Sequence, residues 1–350
     1  MTQARPRRPT TMSDVARRAG VSTATVSRAL SGGARPMSPD LRSRVEQAAQ
    51  ELGYQVNLVG RTLRRRSSSA VGMIVPDLDN PFFSSLAQAL SRRFESSGID
   101  LLLFSADRDL AIERRGVQSF LGRQVDALVI IASHERDSAE TIDVASRSVL
   151  TIELDRRVSS TSARFVGCDN RHGMRLIFEH VTRDVDTTLQ PVVFVGGDMD
   201  SSSGRERLTG FKRWFGSGRP TLLGSFDVGW GQRAADQILS EGMTTGTVVG
   251  AADVIALGLL SRLQTRGLRV PEDFRVIGFD GIGVSYLAHP TLTTVRQPVE
   301  EMSQEILDLV LAGSAGGSRG HARTRTIRPA LVFGESSPQR DDIGRRTHAR

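Results

Sequence analysis

The side chains with the clearest chemical potential lie on a short segment near the amino terminus. They combine small hydroxyl and methyl groups with one long cation, and they are Ser22, Thr23, Ala24, Thr25, Ser27 and Arg28. A guanidinium can donate two hydrogen bonds to guanine O6 and N7 in the major groove, and such a contact favours the right base over a wrong one by roughly 1–3 kcal/mol. Alternatively, it can bind a backbone phosphate. Hydroxyls bond bases or phosphates, and a methyl group packs on thymine. The segment is a candidate for DNA binding, with base and phosphate contact both open for Arg28.

Two short helices joined by a tight turn are predicted to position this segment. Thr11 caps a helix over Met12–Ala19 that ends at Gly20, where glycine adopts the left-handed conformation of a turn without steric cost. Ser22 caps a second helix over Thr23–Leu30. The pair forms a helix-turn-helix, whose second helix is expected to lie in the major groove.

A third helix completes this amino-terminal head. Ser38 is its cap, and Pro39 occupies the first helical position, where its missing N–H costs nothing. The apolar positions of the three helices fall on one face of each and are Val15, Ala16, Ala19, Val26, Ala29, Leu30, Leu41, Val45, Ala48, Ala49 and Leu52. They predict a small helical core, with Val21 and Val26 filling the angle between the first two helices.

Charge is distributed unevenly over the 350 residues. Residues 1–66 hold 13 arginines against 4 acidic residues, residues 67–312 hold 25 basic against 32 acidic residues, and the last 38 residues hold 8 against 3. These segments carry +9, −7 and +5 within a total of +7. A basic module of this size is typical of nucleic-acid binding, the alternative being a solvated basic face or a disordered arm. The acidic body should be repelled by DNA, which confines contact to the head and hinge.

Motifs for catalysis, cofactors and metals are missing from the sequence. Gly281-Ile282-Gly283 lacks the third glycine of a dinucleotide loop, and no Gly-x-x-x-x-Gly-Lys phosphate loop exists. The six histidines lack metal-ligand spacing, and the single cysteine, Cys168, excludes a disulfide framework and is expected to be buried. We expect the protein to have no enzymatic activity and to bind neither a cofactor nor a metal ion.

Composition and apolar runs favour a soluble protein. Apolar residues make up 39% and charged residues 24% of the chain, which is typical of globular proteins. No apolar run approaches the roughly 18 residues of a membrane span, and residues 1–10 lack the apolar core of a signal peptide. We expect a cytoplasmic protein that does not bind membranes.

After residue 69, short β-branched runs alternate with helix-length segments. Strands are predicted at 71–75, 99–104, 127–131, 149–152, 191–195, 247–251 and 274–279. Continuous apolar strands separated by helices indicate parallel sheets with helices on both faces, in two series that meet near Gly167. The predicted fold is an α/β body of two doubly wound parallel-sheet lobes with a small all-α head. A ligand is expected between the lobes, at the carboxyl ends of the strands.

Residues 11–31, TMSDVARRAGVSTATVSRALS, closely resemble the head of the lactose/galactose-repressor (LacI/GalR) family. The similarity continues through Ser38–Tyr54 and more loosely to about Ser336. It implies a body like that of the periplasmic binding proteins, a homodimer, a near-palindromic DNA operator and a small sugar-like effector that controls operator binding. A solute-binding protein without a regulatory role is the alternative, and the attached helix-turn-helix favours regulation.

The segment 57–69 resembles the family's hinge, which becomes helical only on the operator. The resemblance implies DNA contact at Asn57, Gly60 and Leu63, with Leu63 wedged into a base step of the minor groove. The family's usual alanine at position 60 is replaced here by glycine, which disfavours a helix by about 1 kcal/mol. We therefore expect Gly60→Ala to tighten operator binding and to weaken release by the effector.

The resemblance also implies effector contacts from both lobes. The implied residues are Phe82, Phe83, Asp155, Ser203, Arg207, Phe226, Asp253, Asp280 and Gln297. Phe226 and either Phe82 or Phe83 are expected near the sugar, the alternative for the latter pair being the apolar core. Arg207 is expected to clamp the ligand, whereas Arg205 is expected to be solvated. Asp280 has a strand-end cap or salt bridge as its alternative, and Gln297 serves either the ligand or the coupling of the lobes.

Three positions in the body depart from the family pattern. The usual Asn-Asp pair is Ala252-Asp253, so one polar contact is lost, and the usual Asp-Asp is Asp280-Gly281. The Gly-His turn is replaced by residues 183–188. These changes leave open an altered, phosphorylated or absent effector.

The predicted organisation has five parts: a basic arm over 1–10, the head over 11–56, the hinge over 57–69, the body over 70–336 and a polar tail over 337–350. The tail has no leucine heptads to build a tetramerising coiled coil, so a dimer is expected.

Overall fold

The computed structural model describes residues 10–30, 37–54, 68–159, 161–314 and 324–339. The chain divides into two units, Met1–Ser68 and Ser69–Arg350. Outside the described residues lie positions 1–9 of the predicted arm, the hinge residues Asn57, Gly60 and Leu63, and positions 340–350 of the predicted tail.

The head contains the three predicted helices, which are α1 (Met12–Ala19), α2 (Thr23–Leu30) and α3 (Pro39–Glu51). Their caps are those that the sequence predicts. Thr11 accepts the Asp14 amide, while the Asp14 carboxylate accepts the Thr11 amide, and Gly20 has a φ of 67°. The Ser22 hydroxyl accepts the Thr25 amide at 3.1 Å. The ends of these helices are therefore determined by capping residues next to them in the sequence.

The head's core is small and lies between the three helices. Val15, Val26 and Val45 are fully buried. The other members of this core are smaller or half-buried and include Ala16, Ala19, Val21, Ala29, Leu30, Ala48, Ala49 and Leu52. Alanines at the crossing points let the helix axes approach, so this core confirms the predicted helical face.

The first lobe of the body is a parallel six-stranded sheet in the order β11-β5-β4-β3-β1-β2. Its strands are β1 (Ala70–Val75), β2 (Asp100–Ser105), β3 (Ala127–Ile130), β4 (Leu150–Leu154), β5 (Arg164–Cys168) and β11 (Thr324–Ile327). Ile74 of β1 pairs with Phe104 of β2 and Ile130 of β3. The carboxyl ends of these strands therefore meet at one edge.

The second lobe is a six-stranded sheet in the order β12-β10-β9-β8-β6-β7, in which only β12 runs antiparallel to its neighbour. Its strands are β6 (Val192–Gly196), β7 (Thr221–Leu223), β8 (Gly246–Gly250), β9 (Phe274–Asp280), β10 (Thr293–Arg296) and β12 (Ala330–Val332). The sequence patterns predict the central strands of both lobes. They miss β5, β7 and β10–β12, which are only three to five residues long and carry apolar runs too short to stand out.

Helices cover the sheets of both lobes. They are α4 (Pro81–Glu95), α5 (Leu110–Gly122), α6 (Ala139–Ser148), α7 (Asn170–Asp184), α8 (Ser202–Phe215), α9 (Val228–Ser240), α10 (Asp253–Thr265) and α11 (Val299–Ser314), with a 3₁₀ turn at Gly283–Tyr286. The chain passes between the lobes after β5, after β10 and between β11 and β12. Residues just after β5 and β10 therefore lie where the lobes meet.

At two of the predicted boundaries, the residue just outside a predicted part makes contacts with that part. Thr10 donates its hydroxyl to the Leu52 carbonyl of the head at 2.9 Å. Ser337 is fully buried and bonds the His180 ring of the body at 2.8 Å. Single-residue contacts of this kind leave no periodic signal in the sequence.

Candidate functional site

The proposed DNA-facing side chains of the head lie on α2. Ser22, Thr23, Ala24 and Arg28 are exposed, whereas Thr25 and Ser27 are half-buried. Arg28 lies back along its own helix, with Nε 3.4 Å from the Ala24 carbonyl. Its guanidinium takes part in no ion pair among the described residues of the head, so it is available to an external acceptor.

The predicted effector residues of the body converge where the strand ends of the two lobes face each other. Asp155 follows β4 in the first lobe, and Asp280 ends β9 in the second. Both are at most 4% exposed, and both have positive φ angles, 62° and 122°. Such backbone is costly for a residue other than glycine and is retained mostly at functional sites.

Arg207 is the centre of a buried polar cluster. Its Nη1 donates to Asp280 at 3.0 Å and to the Ala251 carbonyl at 2.7 Å, and its Nε donates to the Asn170 side chain at 2.9 Å. The guanidinium also lies 3.8 Å from the Phe279 ring centre. Because the arginine is 3% exposed, these contacts replace its lost hydration.

The carboxylates of the cluster are hard to ionise. Burial raises the pKa of Asp280 to about 7, although Arg207 lowers it. Burial also raises the pKa of Asp155, against the opposing charges of Arg207 and Arg156. Desolvation is the larger cause in both, because a carboxylate loses its hydration when it leaves water.

Several buried atoms near the cleft have no hydrogen-bond partner in the protein. They include Oδ1 of Asp155, Oε1 of Gln297 and Nε of Arg156. Gln297 follows β10 and is 3% exposed, with its Nε2 donating to Asp280 at 2.8 Å. Unpaired buried polar atoms cost about 1–3 kcal/mol each. The cleft therefore offers two acceptors and one donor to a bound molecule.

Arg156 is a cleft residue that the sequence did not single out. It is 6% exposed, donates to the Ala132 carbonyl at 3.2 Å and lies 5.4 Å from the Phe83 ring and 5.8 Å from the Phe226 ring. Its pKa is lowered by burial, against the effect of Asp155. The only available signal was its position within three residues of the end of β4, which it shares with its neighbour Arg157.

The aromatic residues form the walls of the cleft rather than open stacking platforms. Phe82 and Phe83 are 3% and 2% exposed, and their ring centres lie 5.8 Å apart. This burial fits the alternative that the two rings belong to the apolar core. Phe226 is 5% exposed, and a Cβ at Gly197 would lie 2.2 Å from its ring. Arg156 lies between Phe83 and Phe226, so a bound molecule meets a cation there.

Asp253 accepts four hydrogen bonds from the protein itself, and its contact with an effector stays a prediction. Its Oδ2 accepts the amides of Gly281 and Ile282 at 2.9 Å each and the Ser285 hydroxyl at 2.7 Å, while its Oδ1 accepts from Thr294. Burial raises its pKa to about 6. These bonds use its acceptor capacity, so it holds the loop after β9.

The two sequence departures beside Asp253 have local consequences. Ala252 is the N-cap of α10 and makes no side-chain cap bond, so the lost polar group is not replaced. Gly281 has a φ of 73°, and a Cβ there would lie 2.7 Å from the Arg296 Cα. The second aspartate of the family pattern would not fit this backbone.

Further contacts join the lobes beside the cleft. Arg108 pairs with Asp77 at 2.8 Å in the first lobe and reaches the Phe226 carbonyl of the second lobe at 3.4 Å. Arg205 forms an ion pair with Glu135 of the first lobe. Arg205 is 42% exposed, so it is in contact with solvent as predicted, and it also takes part in this pair. Ser203, 4% exposed, bonds the cap residue Ser201 at 3.0 Å, and its hydroxyl lies at the start of α8.

The described residues contain neither a metal-binding cluster nor a membrane-spanning helix. No group of three or more histidine, cysteine, aspartate or glutamate side chains could hold a metal ion in that part of the chain. No helix there is long and apolar enough to cross a membrane. Cys168 is buried, and burial raises the pKa of its thiol.

The chain is similar to transcriptional regulators along most of its length. Residues 11–57 match the family "bacterial regulatory proteins, lacI family", and residues 187–337 match the periplasmic binding protein-like domain. The HTH-type transcriptional regulator AscG of Escherichia coli K12 is 33% identical over 327 residues, which cover 90% of this chain and 95% of AscG. A ribose operon repressor of Halalkalibacterium halodurans is 29% identical, covering 84% and 87%.

Solved structures agree with these sequence matches. A Lac repressor dimer bound to operator and the anti-inducer ONPF has a TM-score of 0.82 at 26% identity and covers 95% of this chain and 100% of its own. A complex of the transcriptional regulator CelR with cellobiose has a TM-score of 0.68 at 26% identity and covers 94% and 100%. Both matches extend over the head and the body of this chain.

Proposed function

Because this chain belongs to the lacI family of bacterial regulatory proteins, we propose that it is a sequence-specific transcriptional repressor controlled by a small sugar-like ligand. The observation that carries the proposal is the combination of two sites in one chain. The head presents an exposed α2 face, and the body presents a cleft whose buried polar atoms lack partners. The first suits DNA, and the second suits a hydroxyl-rich molecule.

The DNA contacts come from the head and the hinge. Thr23, Ala24 and Arg28 are exposed and would face the major groove, while the Ser22 hydroxyl is already engaged in capping α2. The basic charge of residues 1–66 supplies the phosphate attraction, which is salt-dependent. A Lac repressor neighbour binds its operator as a dimer, and a dimer on a near-palindrome is the arrangement proposed here.

The ligand contacts come from the unpartnered atoms of both lobes. Asp155 and Gln297 would accept hydrogen bonds from hydroxyls, and Arg156 would donate to a hydroxyl or ring oxygen. Arg207 and Asp280 lie beside them as an ion pair, and Phe83 and Phe226 exclude water. A neutral polyol satisfies this set without adding charge. Cellobiose, which the CelR structure contains, is a molecule of this chemistry.

Regulation follows from linkage between the two sites. A ligand that binds one arrangement of the lobes more tightly than the other shifts the body towards that arrangement. If the operator-bound dimer favours the other arrangement, ligand and operator weaken each other's binding by the same factor. The proposal needs no catalytic step, cofactor or metal, and DNA binding assigns the protein to the cytoplasm.

The test is selection of binding sites from random duplexes with the full-length protein, followed by mobility-shift titrations at two salt concentrations. We expect near-palindromic sites and an affinity that falls steeply with salt. Cellobiose, ribose and galactose are then added, and the matching sugar should change operator affinity by roughly 5- to 150-fold. The direction of that change separates an inducer from a corepressor.

The alternative, a solute-binding protein of the periplasmic type, gives a different result. It would bind a sugar, seen as a raised melting temperature, but it would show no palindrome-specific binding to DNA. Specific DNA binding with no response to a broad panel of sugars would instead contradict the ligand-controlled part of the proposal.

A further inference from the structure

Backbone amides join the two lobes on one side of the cleft. The Glu135 amide, after β3 in the first lobe, donates to the Asp200 carbonyl in the second lobe at 2.8 Å. The Arg157 amide, after β4, donates to the Ser202 hydroxyl at the start of α8, also at 2.8 Å. Both bonds join protein groups directly, so contacts within the chain bring the lobes together here.

An ion pair reinforces these two bonds. The Glu135 carboxylate pairs with the Arg205 guanidinium on α8, and the two side chains are 11% and 42% exposed. Ser159 holds the glutamate from within the first lobe, since its hydroxyl donates to Oε1 at 3.2 Å and its amide donates to the Glu135 carbonyl at 3.0 Å. A carboxylate fixed in this way loses less entropy on pairing than an ordinary surface side chain.

The loop that carries Glu135 is anchored to the interior of the first lobe. The Ser133 amide donates to the buried Glu113 carboxylate at 2.8 Å, and the His134 amide donates to the Ser138 hydroxyl at 3.3 Å. The Ala132 carbonyl accepts from Arg156 at 3.2 Å. The loop therefore touches a cleft residue at one end and the second lobe at the other.

We propose that the Glu135–Arg205 pair is a latch that holds the two lobes together through the chain's own contacts. Glu135 and Arg205 act as positioning residues, because they touch the opposite lobe and not the cleft atoms. Weakening the latch populates a more open body, and a ligand that needs the closed body then binds with lower apparent affinity. This regulatory consequence rests on the proposed function, whereas the latch itself does not.

The latch is tested by hydrogen exchange on the full-length protein without DNA or ligand. In Glu135→Gln and in Arg205→Gln, the inter-lobe backbone amides at positions 135 and 157 should exchange roughly three- to fivefold faster than in the wild type. The charge exchange of Glu135→Arg with Arg205→Glu should return the Arg157 amide towards the wild-type rate. Amides inside β4, such as that of Ile152, should keep their rates.

The matched control is Arg266→Gln, which removes an ion pair with Asp236 inside the second lobe. It should leave the exchange of the inter-lobe amides unchanged. Unchanged Arg157 exchange in both latch variants would overturn the proposal, and so would faster exchange that extends equally into β4. Because the measurement needs neither operator nor effector, failure of the latch and failure of the proposed function remain distinguishable.

Discussion

The head and the body present their functional groups in different ways. At α2, the side chains are exposed or half-buried, lie within one short segment of the chain and are positioned by the local cap Ser22. In the cleft, the side chains are buried and come from strand ends and helices far apart in sequence. Arg207, for example, bonds Asn170 and Asp280, 37 and 73 residues away.

This contrast separates binding from stability. An exposed group on α2 contributes to DNA affinity but little to folding, because water replaces its partner when DNA is absent. A buried cleft group contributes to both, because its loss leaves another buried group unpaired. Substitutions on α2 should therefore change operator affinity alone, and those in the cleft should change stability first.

The largest effect is expected for Arg207→Met. This change leaves the buried Asp280 without its cation and the Asn170 and Ala251 oxygens without a donor. Removing one partner of a buried pair costs about 3–5 kcal/mol of the free energy of unfolding. Denaturant titration measures it, with Arg266→Met as the exposed control, for which at most about 1 kcal/mol is expected. Equal losses of stability in the two variants would contradict the distinction between buried and exposed groups.

The next effect concerns pH and belongs to the body alone. Glu153 on β4 is 1% exposed, and burial raises its pKa from 4.5 to about 7. The folded protein therefore binds the Glu153 proton more tightly than the unfolded chain does. The contribution of this proton to the free energy of unfolding is complete below pH 4.5 and is lost as the pH rises through about 7. The loss is on the order of 3 kcal/mol.

Glu153→Gln imitates the protonated side chain and should remove this loss. Its amide can still bond Val158 and Thr161, the present partners of the carboxylate. Relative to the wild type, the variant should gain on the order of 3 kcal/mol between pH 5 and pH 8. Melting curves across this range test it, and Glu140→Gln, at a side chain that is 82% exposed, should show no such trend. A flat difference for Glu153→Gln would refute the prediction.

On the head, Arg28→Ala should lower operator affinity by about 1–3 kcal/mol and change stability by less than about 0.5 kcal/mol. Titrations with operator variants decide between the two contacts open for Arg28. A guanine contact predicts a loss confined to one base pair, whereas a phosphate contact predicts a uniform loss and a smaller salt dependence. Arg115→Ala, at an exposed position of α5 in the body, is the control and should bind operator normally.

The smallest effect is expected in the hinge, which connects the two regions. Gly60→Ala should favour a hinge helix by about 1 kcal/mol, which is about fivefold in operator affinity per subunit. Gly122→Ala is a suitable comparison, since this glycine ends α5 and a Cβ there meets nothing within 4 Å. If operator affinity at fixed salt is the same for Gly60→Ala and the wild type, the proposed coupling through hinge helicity fails.

The sequence predicted the head more fully than the cleft. The bounds of α1 and α2 and the caps at Thr11, Ser22 and Ser38 follow from residues within three positions of each other. In the cleft, family resemblance pointed to Asp155, Arg207 and Asp280, and the structure brings the three together. Their role in ligand binding remains a proposal.

The structure differs from expectation where alternatives look alike in sequence. Arg156 and Arg157 are neighbours, and only the first lies among the aromatic rings of the cleft. Asp253 and Asp280 both follow or end a strand of the second lobe. The carboxylate of Asp253, however, accepts hydrogen bonds from the loop after β9. Arg205 reaches Glu135 in the other lobe, a contact that no local pattern encodes.

By itself, the sequence determined the helix-turn-helix, the alternation of strands and helices, the two lobes and the opposite charges of head and body. These depend on caps, periodicity and composition, which act over a few residues or add along a segment. The tertiary structure alone decided which arginine and which aspartate face the cleft, and that Glu135 of one lobe pairs with Arg205 of the other. The reason is burial, because the cost of removing charge from water depends on what distant parts of the chain place beside it.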